Sequence, residues 1–99
     1  MIKLEKENNL KSKLEELGYV IIDDFEKDDL DSDCTFTGEK NMGRGIYIVI
    51  GFINNIVVTN YVYDQYRIYK NKERLEVLKL AIETMEKDLK VVRYNEKDC

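Results

Sequence analysis

The strongest constraint on the fold is a pair of apolar segments separated by two asparagines. Residues 46–53 and 56–63 are rich in Ile, Val and Tyr, which are residues that β-strands favour. Asn54 and Asn55 between them tolerate the positive φ that a two-residue type I′ turn requires. The pattern therefore predicts an antiparallel hairpin in which residues 46–53 pair with residues 56–63.

Pairing Ile53 with Ile56 across that turn fixes an expected register by simple alternation. It places on one apolar face the pairs Phe52–Val57, Ile50–Thr59, Ile48–Tyr61 and Ile46–Tyr63. The opposite face is also apolar, since it carries Val49, Val58 and Val62, and burial of one face does not account for it. We expect another layer or a partner to cover that second face.

The segments before the hairpin predict a helix and two shorter strands. Leu10, Leu14 and Leu17 recur at helical spacing ahead of a glycine, which predicts a helix over residues 3–17. Aromatic and β-branched residues then predict a strand over 19–25 and a short one over 34–37. Glycines within residues 38–45 predict a mobile loop before the hairpin.

The last long segment predicts an amphipathic helix over residues 71–91. Its apolar side chains are spaced alternately by three and four residues, and they are Leu75, Leu78, Ile82, Met85, Leu89 and Val92. The predicted fold is α+β, with an N-terminal helix, a three- to four-stranded antiparallel sheet and this C-terminal helix packed on it. A chain of 99 residues predicts one domain, over residues 1–93, with a frayed tail over 94–99.

The composition excludes several classes of active site. The chain has no histidine and only two cysteines, Cys34 and Cys99, so His-dependent triads and His- or Cys-based zinc sites cannot form within it. Asp29, Asp31 and Asp33 have EF-hand spacing, but Cys34 and Lys40 replace the required Gly and Glu. We expect a non-catalytic protein without cofactor or metal, and weak divalent-ion binding at the surface is the alternative for the aspartates.

A strongly acidic segment lies between the first two predicted strands. Residues 23–33 contain seven Asp or Glu residues and one lysine, a local net charge of −6 in a chain whose total is −4. Such a segment can be a solvated loop that only keeps the protein soluble. It can also bind a groove lined by Arg and Lys. The residues expected to do so are Asp24, Glu26, Asp28, Asp29, Asp31 and Asp33.

Aromatic and basic residues are interleaved over residues 61–74. The tyrosines are Tyr61, Tyr63, Tyr66 and Tyr69, and the basic residues among and after them are Arg67, Lys70, Lys72 and Arg74. This pattern is typical either of a protein interface, in which tyrosines anchor a partner, or of a single-strand nucleic-acid binder. The acidic pI, near 4.9, favours the protein interface.

The short acidic chain, its order of elements and the acidic run over 23–33 resemble small inhibitor proteins of phages and mobile elements, of the anti-CRISPR or toxin-immunity type. The resemblance implies a protein that occupies the basic groove of a target protein without catalysis. We also expect a cytoplasmic location, in a bacterial cell or a phage-infected host, because the two cysteines fit a reducing compartment better than a structural disulfide. The alternatives are a homo-oligomeric module that pairs through the second hairpin face or the last helix, and a nucleic-acid binder that uses segment 61–74.

No stretch of the sequence predicts a membrane anchor. The longest apolar run, residues 46–53, is far shorter than the roughly 20 residues that a membrane helix needs. We therefore expect no membrane partner, and two cysteines in such a chain predict reduced thiols.

Overall fold

The computed structural model describes residues 2–24, 33–66 and 72–97, and these form two helices and one antiparallel sheet. In chain order the elements are α1 (Ile2–Glu16), β1 (Val20–Ile22), β2 (Phe36–Gly43), β3 (Ile46–Ile53), β4 (Ile56–Asp64) and α2 (Lys72–Lys97). The sheet has four strands within this part of the chain, in the order β1-β2-β3-β4. The predicted α+β class, the hairpin and the packing of the last helix on the sheet are confirmed.

The turn between β3 and β4 has the predicted backbone geometry. Asn54 and Asn55 adopt φ values of 51° and 68°, in the region that asparagine tolerates better than most residues. Ile53 pairs with Ile56, as the sequence predicts.

A β-bulge changes the register beyond the turn. Phe52 still pairs with Val57, but Gly51 pairs with Thr59, so Val58 is an extra residue on β4. Since strand side chains alternate between faces, one extra residue reverses the faces of the rest of β4. The predicted pairs Ile50–Thr59, Ile48–Tyr61 and Ile46–Tyr63 are therefore wrong, and the observed pairs are Ile50–Asn60, Ile48–Val62 and Ile46–Asp64.

Strand β2 occupies most of the region predicted as a mobile loop. It continues through Gly38, because this glycine lies beneath the first helix and not in a turn. A Cβ atom at Gly38 would be 3.3 Å from Cδ2 of Tyr19 and 3.4 Å from Cδ1 of Leu14. The missing side chain thus allows α1 to approach the sheet closely. The turn itself is confined to residues 43–45, which all have positive φ.

Both helices pack on the same face of the sheet, called here the inner face, and the other is the outer face. Helix α1 contacts β1, and α2 contacts β2, β3 and β4. Alternate residues of β3 point toward the helices and are fully buried, namely Ile46, Ile48, Ile50 and Phe52. The rings of Phe36 and Phe52 stack with their centroids 4.8 Å apart. The core is thus a single layer between the sheet and the helices.

Helix α2 is rotated relative to the apolar stripe predicted from its sequence. Leu75 and Ile82 of that stripe are exposed, whereas Arg74, Ala81 and Asp88 are buried. The buried charges are tolerated because each has a partner of opposite charge from the sheet, and the small Ala81 allows close packing between them. Leu89 and Val92 are buried, as predicted.

Helix α2 also extends farther than predicted. It continues to Lys97, through residues 94–97 of the predicted tail. Strand β1, in contrast, covers three residues where the sequence predicts seven. It is the shorter of the two strands at the sheet edges.

Candidate protein-binding surface

Three apolar side chains are exposed around the β3–β4 turn. Ile53, Ile56 and Val58 are 36%, 56% and 51% exposed, and we call these three residues the hairpin patch. Ile53 and Ile56 face each other on the outer face, and Val58 is the extra residue of the bulge. Apolar side chains that cluster on a surface mark a site where a partner binds, more than scattered ones do.

Both ends of the acidic segment lie at the same end of the sheet as the hairpin patch. Asp23 follows Ile22, which pairs with Thr37 near the start of β2. On the other side, the Thr35 amide donates a 2.7 Å hydrogen bond to the Phe52 carbonyl. The Asn54 amide in turn donates to Oγ1 of Thr35 at 3.3 Å, which holds residues 33–35 against the turn.

The charges at these two ends are accessible to a partner. Asp23, Asp24 and Asp33 are exposed, and a carboxylate oxygen of Asp23 lies 3.6 Å from Nζ of Lys11. The other predicted acidic contacts lie outside the described residues, and they are Glu26, Asp28, Asp29 and Asp31. Of the acidic run, the structure therefore places the flanks, and both lie at the end of the sheet that carries the hairpin patch.

The structure describes three of the four predicted tyrosine anchors. Because of the bulge, Tyr61 and Tyr63 pair with Val49 and Tyr47 on the outer face. Tyr63 is half-exposed and Tyr61 is more buried. Tyr66 is exposed beyond the end of β4, and Tyr69 lies outside the described residues.

The middle of the outer face is closed by side chains that meet over Gly51. A Cβ atom at Gly51 would lie 2.5 Å from Cγ2 of Thr59, 2.8 Å from Sγ of Cys34 and 3.5 Å from Cγ2 of Thr37. The outer face is thus tightly packed at its centre, and Thr37 there is buried. The surface offered to a partner is the rim of this face, of which the hairpin patch is the most exposed part at the turn.

Arg74, which the nucleic-acid hypothesis assigns to phosphate binding, is buried and holds the structure together. Its Nη1 donates to the carbonyl oxygen of Arg44, and its Nη2 donates to Oδ1 of Asp64. Its guanidinium carbon lies 5.4 Å from the centroid of the Tyr66 ring. Arg74 therefore ties α2 to the β2–β3 turn and to the end of β4. Of the other basic residues, Lys72 is exposed, and Arg67 and Lys70 lie outside the described residues.

A second buried polar group joins α2 to β2 and to the residue that precedes β1, and the sequence patterns do not predict it. The hydroxyl of Tyr19 donates to Asp88, and Lys40 approaches the same carboxylate. Burial, followed by the hydrogen bond to Asp88 and its negative charge, raises the pKa of Tyr19 far above its ordinary value. Tyr19 therefore stays protonated at neutral pH, which suits a structural hydrogen bond and opposes use as a base.

The structure also bears on metal and membrane association. Among the described residues, no group of three or more acidic or cysteine side chains is arranged to hold a metal ion. No described helix is both long and apolar enough to cross a bilayer.

No protein-family model, curated protein or solved structure matches the chain.

Proposed function

We propose that this chain is a non-catalytic inhibitor that binds a target protein, of the anti-CRISPR or toxin-immunity kind. The bound surface on the target is a basic groove that otherwise holds nucleic acid or substrate. The observation that carries the proposal is that both flanks of the acidic segment leave the sheet at the end where the hairpin patch lies, with residues 33–35 bound directly to the turn. Apolar and acidic groups are thereby available to one partner at the same time.

Each part of this surface has a distinct physical role. Binding removes the apolar surface of Ile53, Ile56 and Val58 from water. This favours association by about 25 cal/mol per Å² of apolar surface buried. The carboxylates of residues 23–33 attract a basic partner over a distance and increase the association rate. The proposal therefore implies binding whose rate falls as salt is added, and whose lifetime depends on the apolar contact.

The test uses the purified chain as immobilised bait in a bacterial lysate, followed by an inhibition assay on the captured protein. We expect a nucleic-acid enzyme or a toxin with a basic groove, and its activity should fall in a stoichiometric titration with the purified chain. Changing Asp28, Asp29, Asp31 and Asp33 together to Asn should weaken inhibition at least tenfold. Equal inhibition by this variant and the parent would sink the proposal.

A matched pair of variants tests the apolar half of the surface. Ile56→Ser changes the hairpin patch, and Leu80→Ser changes an equally exposed apolar residue on α2. We expect Ile56→Ser to shorten the lifetime of the complex and Leu80→Ser to leave it unchanged. The same loss in both variants would contradict a role specific to the hairpin patch.

Nucleic-acid binding through segment 61–74 is the competing proposal, and the burial of Arg74 counts against it. A mobility-shift assay with a short single-stranded oligonucleotide at low salt separates the two. Two results together would favour nucleic-acid binding over the inhibitor proposal. The charge-neutralised acidic variant would still shift the oligonucleotide, and the triple variant Arg67→Ala, Lys70→Ala and Lys72→Ala would not.

A further inference from the structure

Helix α2 leaves part of its apolar surface uncovered. Leu75 and Ile82, two turns apart, are 47% and 46% exposed. Leu78 and Met85 lie on the same side of the helix and are half-buried against the core. We call Leu75, Leu78, Ile82 and Met85 the helix stripe. It repeats at spacings of three, four and three residues, the spacing of helices that pair with each other.

Exposed charges of opposite sign lie on the two sides of Ile82 next to the helix stripe. Lys79 precedes Ile82 by three residues and Glu86 follows it by four. At a rise of about 1.5 Å per residue, these charges lie about 4.5 Å and about 6 Å from Ile82 along the helix axis, in opposite directions. A two-fold axis at Ile82 would therefore place Lys79 of one helix opposite Glu86 of another, twice.

We propose that the helix stripe binds the helix stripe of a second copy of this chain, with the two α2 helices antiparallel. The contact is isologous, so each copy offers the same surface. Ile82 meets its own equivalent at the two-fold axis, and Leu78 of each copy lies near Met85 of the other. A parallel pairing would set Lys79 against Lys79 and Glu86 against Glu86, which costs energy.

The other exposed charges of α2 do not repel a second copy that approaches in this way. Four other exposed charged residues on this part of α2 lie on the side of the helix that faces away from the core. They are Glu76, Glu83, Lys87 and Lys90. The acidic segment starts and ends at the sheet, on elements other than α2. Approach of two copies through α2 therefore brings together a local surface with balanced charge, although the whole chain is acidic.

The size of the helix stripe sets the expected strength of the dimer. From Leu75 to Met85 it is about 15 Å long, and its four side chains are far fewer than the roughly 20 to 30 residues that each partner contributes to a standard stable interface. We expect a dissociation constant in the micromolar range or weaker. The hairpin patch lies on the outer face of the sheet, so a dimer through α2 leaves it accessible, and this inference is independent of the proposed inhibitor function.

The test is sedimentation equilibrium of the full chain at low salt, from micromolar to millimolar concentration. We expect a monomer–dimer equilibrium that Ile82→Ser shifts at least tenfold toward monomer. Leu80→Ser is the matched control, since Leu80 is as exposed as Ile82 but projects from nearly the opposite side of the helix. It should dimerise like the parent, and circular dichroism should show that both variants are folded.

A charge exchange tests the antiparallel register. Lys79→Glu and Glu86→Lys should each weaken the dimer at least threefold, because each leaves like charges opposed at two places. The double variant restores the opposite pairing and should recover the affinity of the parent. A chain that stays monomeric at millimolar concentration, a dimer insensitive to Ile82→Ser, or a double variant that is no tighter than the single ones would overturn the proposal.

Discussion

The hydroxyl of Tyr19 donates a 2.8 Å hydrogen bond to Oδ2 of Asp88, a residue 69 positions later in the chain. Nζ of Lys40 lies 3.5 Å from the same carboxylate oxygen and 5.5 Å from the centroid of the Tyr19 ring. One carboxylate on α2 thus collects contacts from β2 and from the residue that precedes β1. This arrangement fixes the position of the last helix across the sheet.

We expect Tyr19→Phe to lower the free energy of unfolding by about 1 to 2 kcal/mol, since it removes a hydrogen bond to a charged group and keeps the ring. Asp88→Ala should cost more, because it leaves both the buried Tyr19 hydroxyl and Lys40 without that acceptor. Urea denaturation, followed by circular dichroism, measures both values. An unchanged midpoint for Asp88→Ala would show that this contact does not stabilise the fold.

Tyr19 should also make the protein sensitive to alkaline pH. Its pKa is raised in the folded state by burial first, and then by Asp88, so the unfolded chain loses this proton at a lower pH than the folded one. The stabilisation is complete below pH about 10, the ordinary pKa of tyrosine. Above that pH, stability falls by up to about 1.4 kcal/mol per pH unit from this group.

Comparison of the parent with Tyr19→Phe isolates this alkaline effect. Urea denaturation at several values between about pH 9 and about pH 11 should show a steeper loss of stability in the parent, since the other ionisable groups are common to both proteins. The stability difference between the two proteins should therefore shrink as the pH rises. Parallel curves would contradict a raised pKa for Tyr19.

We expect Arg74→Met to lower the free energy of unfolding by about 3 to 5 kcal/mol, because it leaves the buried Asp64 carboxylate without its guanidinium partner. The double variant Arg74→Met with Asp64→Leu should recover a large part of the loss, since no uncompensated charge remains. A double-mutant cycle in urea measures the coupling between the two residues. Additive effects of the two substitutions would show that the ion pair does not act as a unit.

Gly51→Ala should lower the free energy of unfolding by about 1 to 3 kcal/mol, because the new Cβ would overlap the methyl group of Thr59 and the thiol of Cys34. Thr59→Ser removes that methyl group and keeps the hydroxyl. Combining it with Gly51→Ala should therefore recover part of the loss. Thermal denaturation of the parent and of the three variants provides the comparison, and a double variant no more stable than Gly51→Ala would argue against the overlap.

The β3–β4 turn predicts opposite results for two substitutions at Asn54. Asn54→Ala should destabilise the protein by about 1 kcal/mol, because a side chain with a plain Cβ is disfavoured at positive φ. Asn54→Gly should be neutral or slightly stabilising, since glycine adopts this conformation without steric cost. Urea midpoints of the two variants test the pair, and a midpoint for Asn54→Gly below that of Asn54→Ala would contradict the prediction.

Local patterns predict the parts of this fold that depend on neighbouring residues. The Asn54–Asn55 turn and the residues of β3 follow from residue types and spacing, and so does the presence of both helices. The bulge at Val58 does not, because Val, Thr and Asn in this stretch fit either face of a strand. Since every face assignment beyond the bulge depends on it, the sequence places Tyr61 and Tyr63 on the wrong side of the sheet.

The buried face of α2 shows why tertiary partners escape a pattern based on hydrophobicity. Arg74 and Asp88 lie seven residues to either side of Ala81, at the centre of the face toward the sheet. The burial of Arg74 depends on Asp64 at the end of β4, and the burial of Asp88 depends on Tyr19 and Lys40, which are far from it in sequence. A small residue flanked at a spacing of seven by opposite charges is the one signal that could have indicated this face.

The candidate surface also combines features that the local sequence predicts with features that depend on tertiary packing. The acidic segment and the hairpin could be expected from the sequence, but their location at one end of the sheet could not. It depends on the hydrogen bond from Asn54 to Thr35 and on the short β1 strand, which are results of tertiary packing.

The order of elements along the chain has a consequence for biosynthesis. Helix α2, which covers β3 and β4, follows the four described strands, so a ribosome synthesises those strands before it makes the helix. During that interval the nascent chain lacks the helix that covers Ile46, Ile48, Ile50 and Phe52, the β3 side chains that are fully buried after folding. We therefore expect any chaperone capture or misassembly of the nascent chain to fall in the period before residues 72–97 leave the exit tunnel.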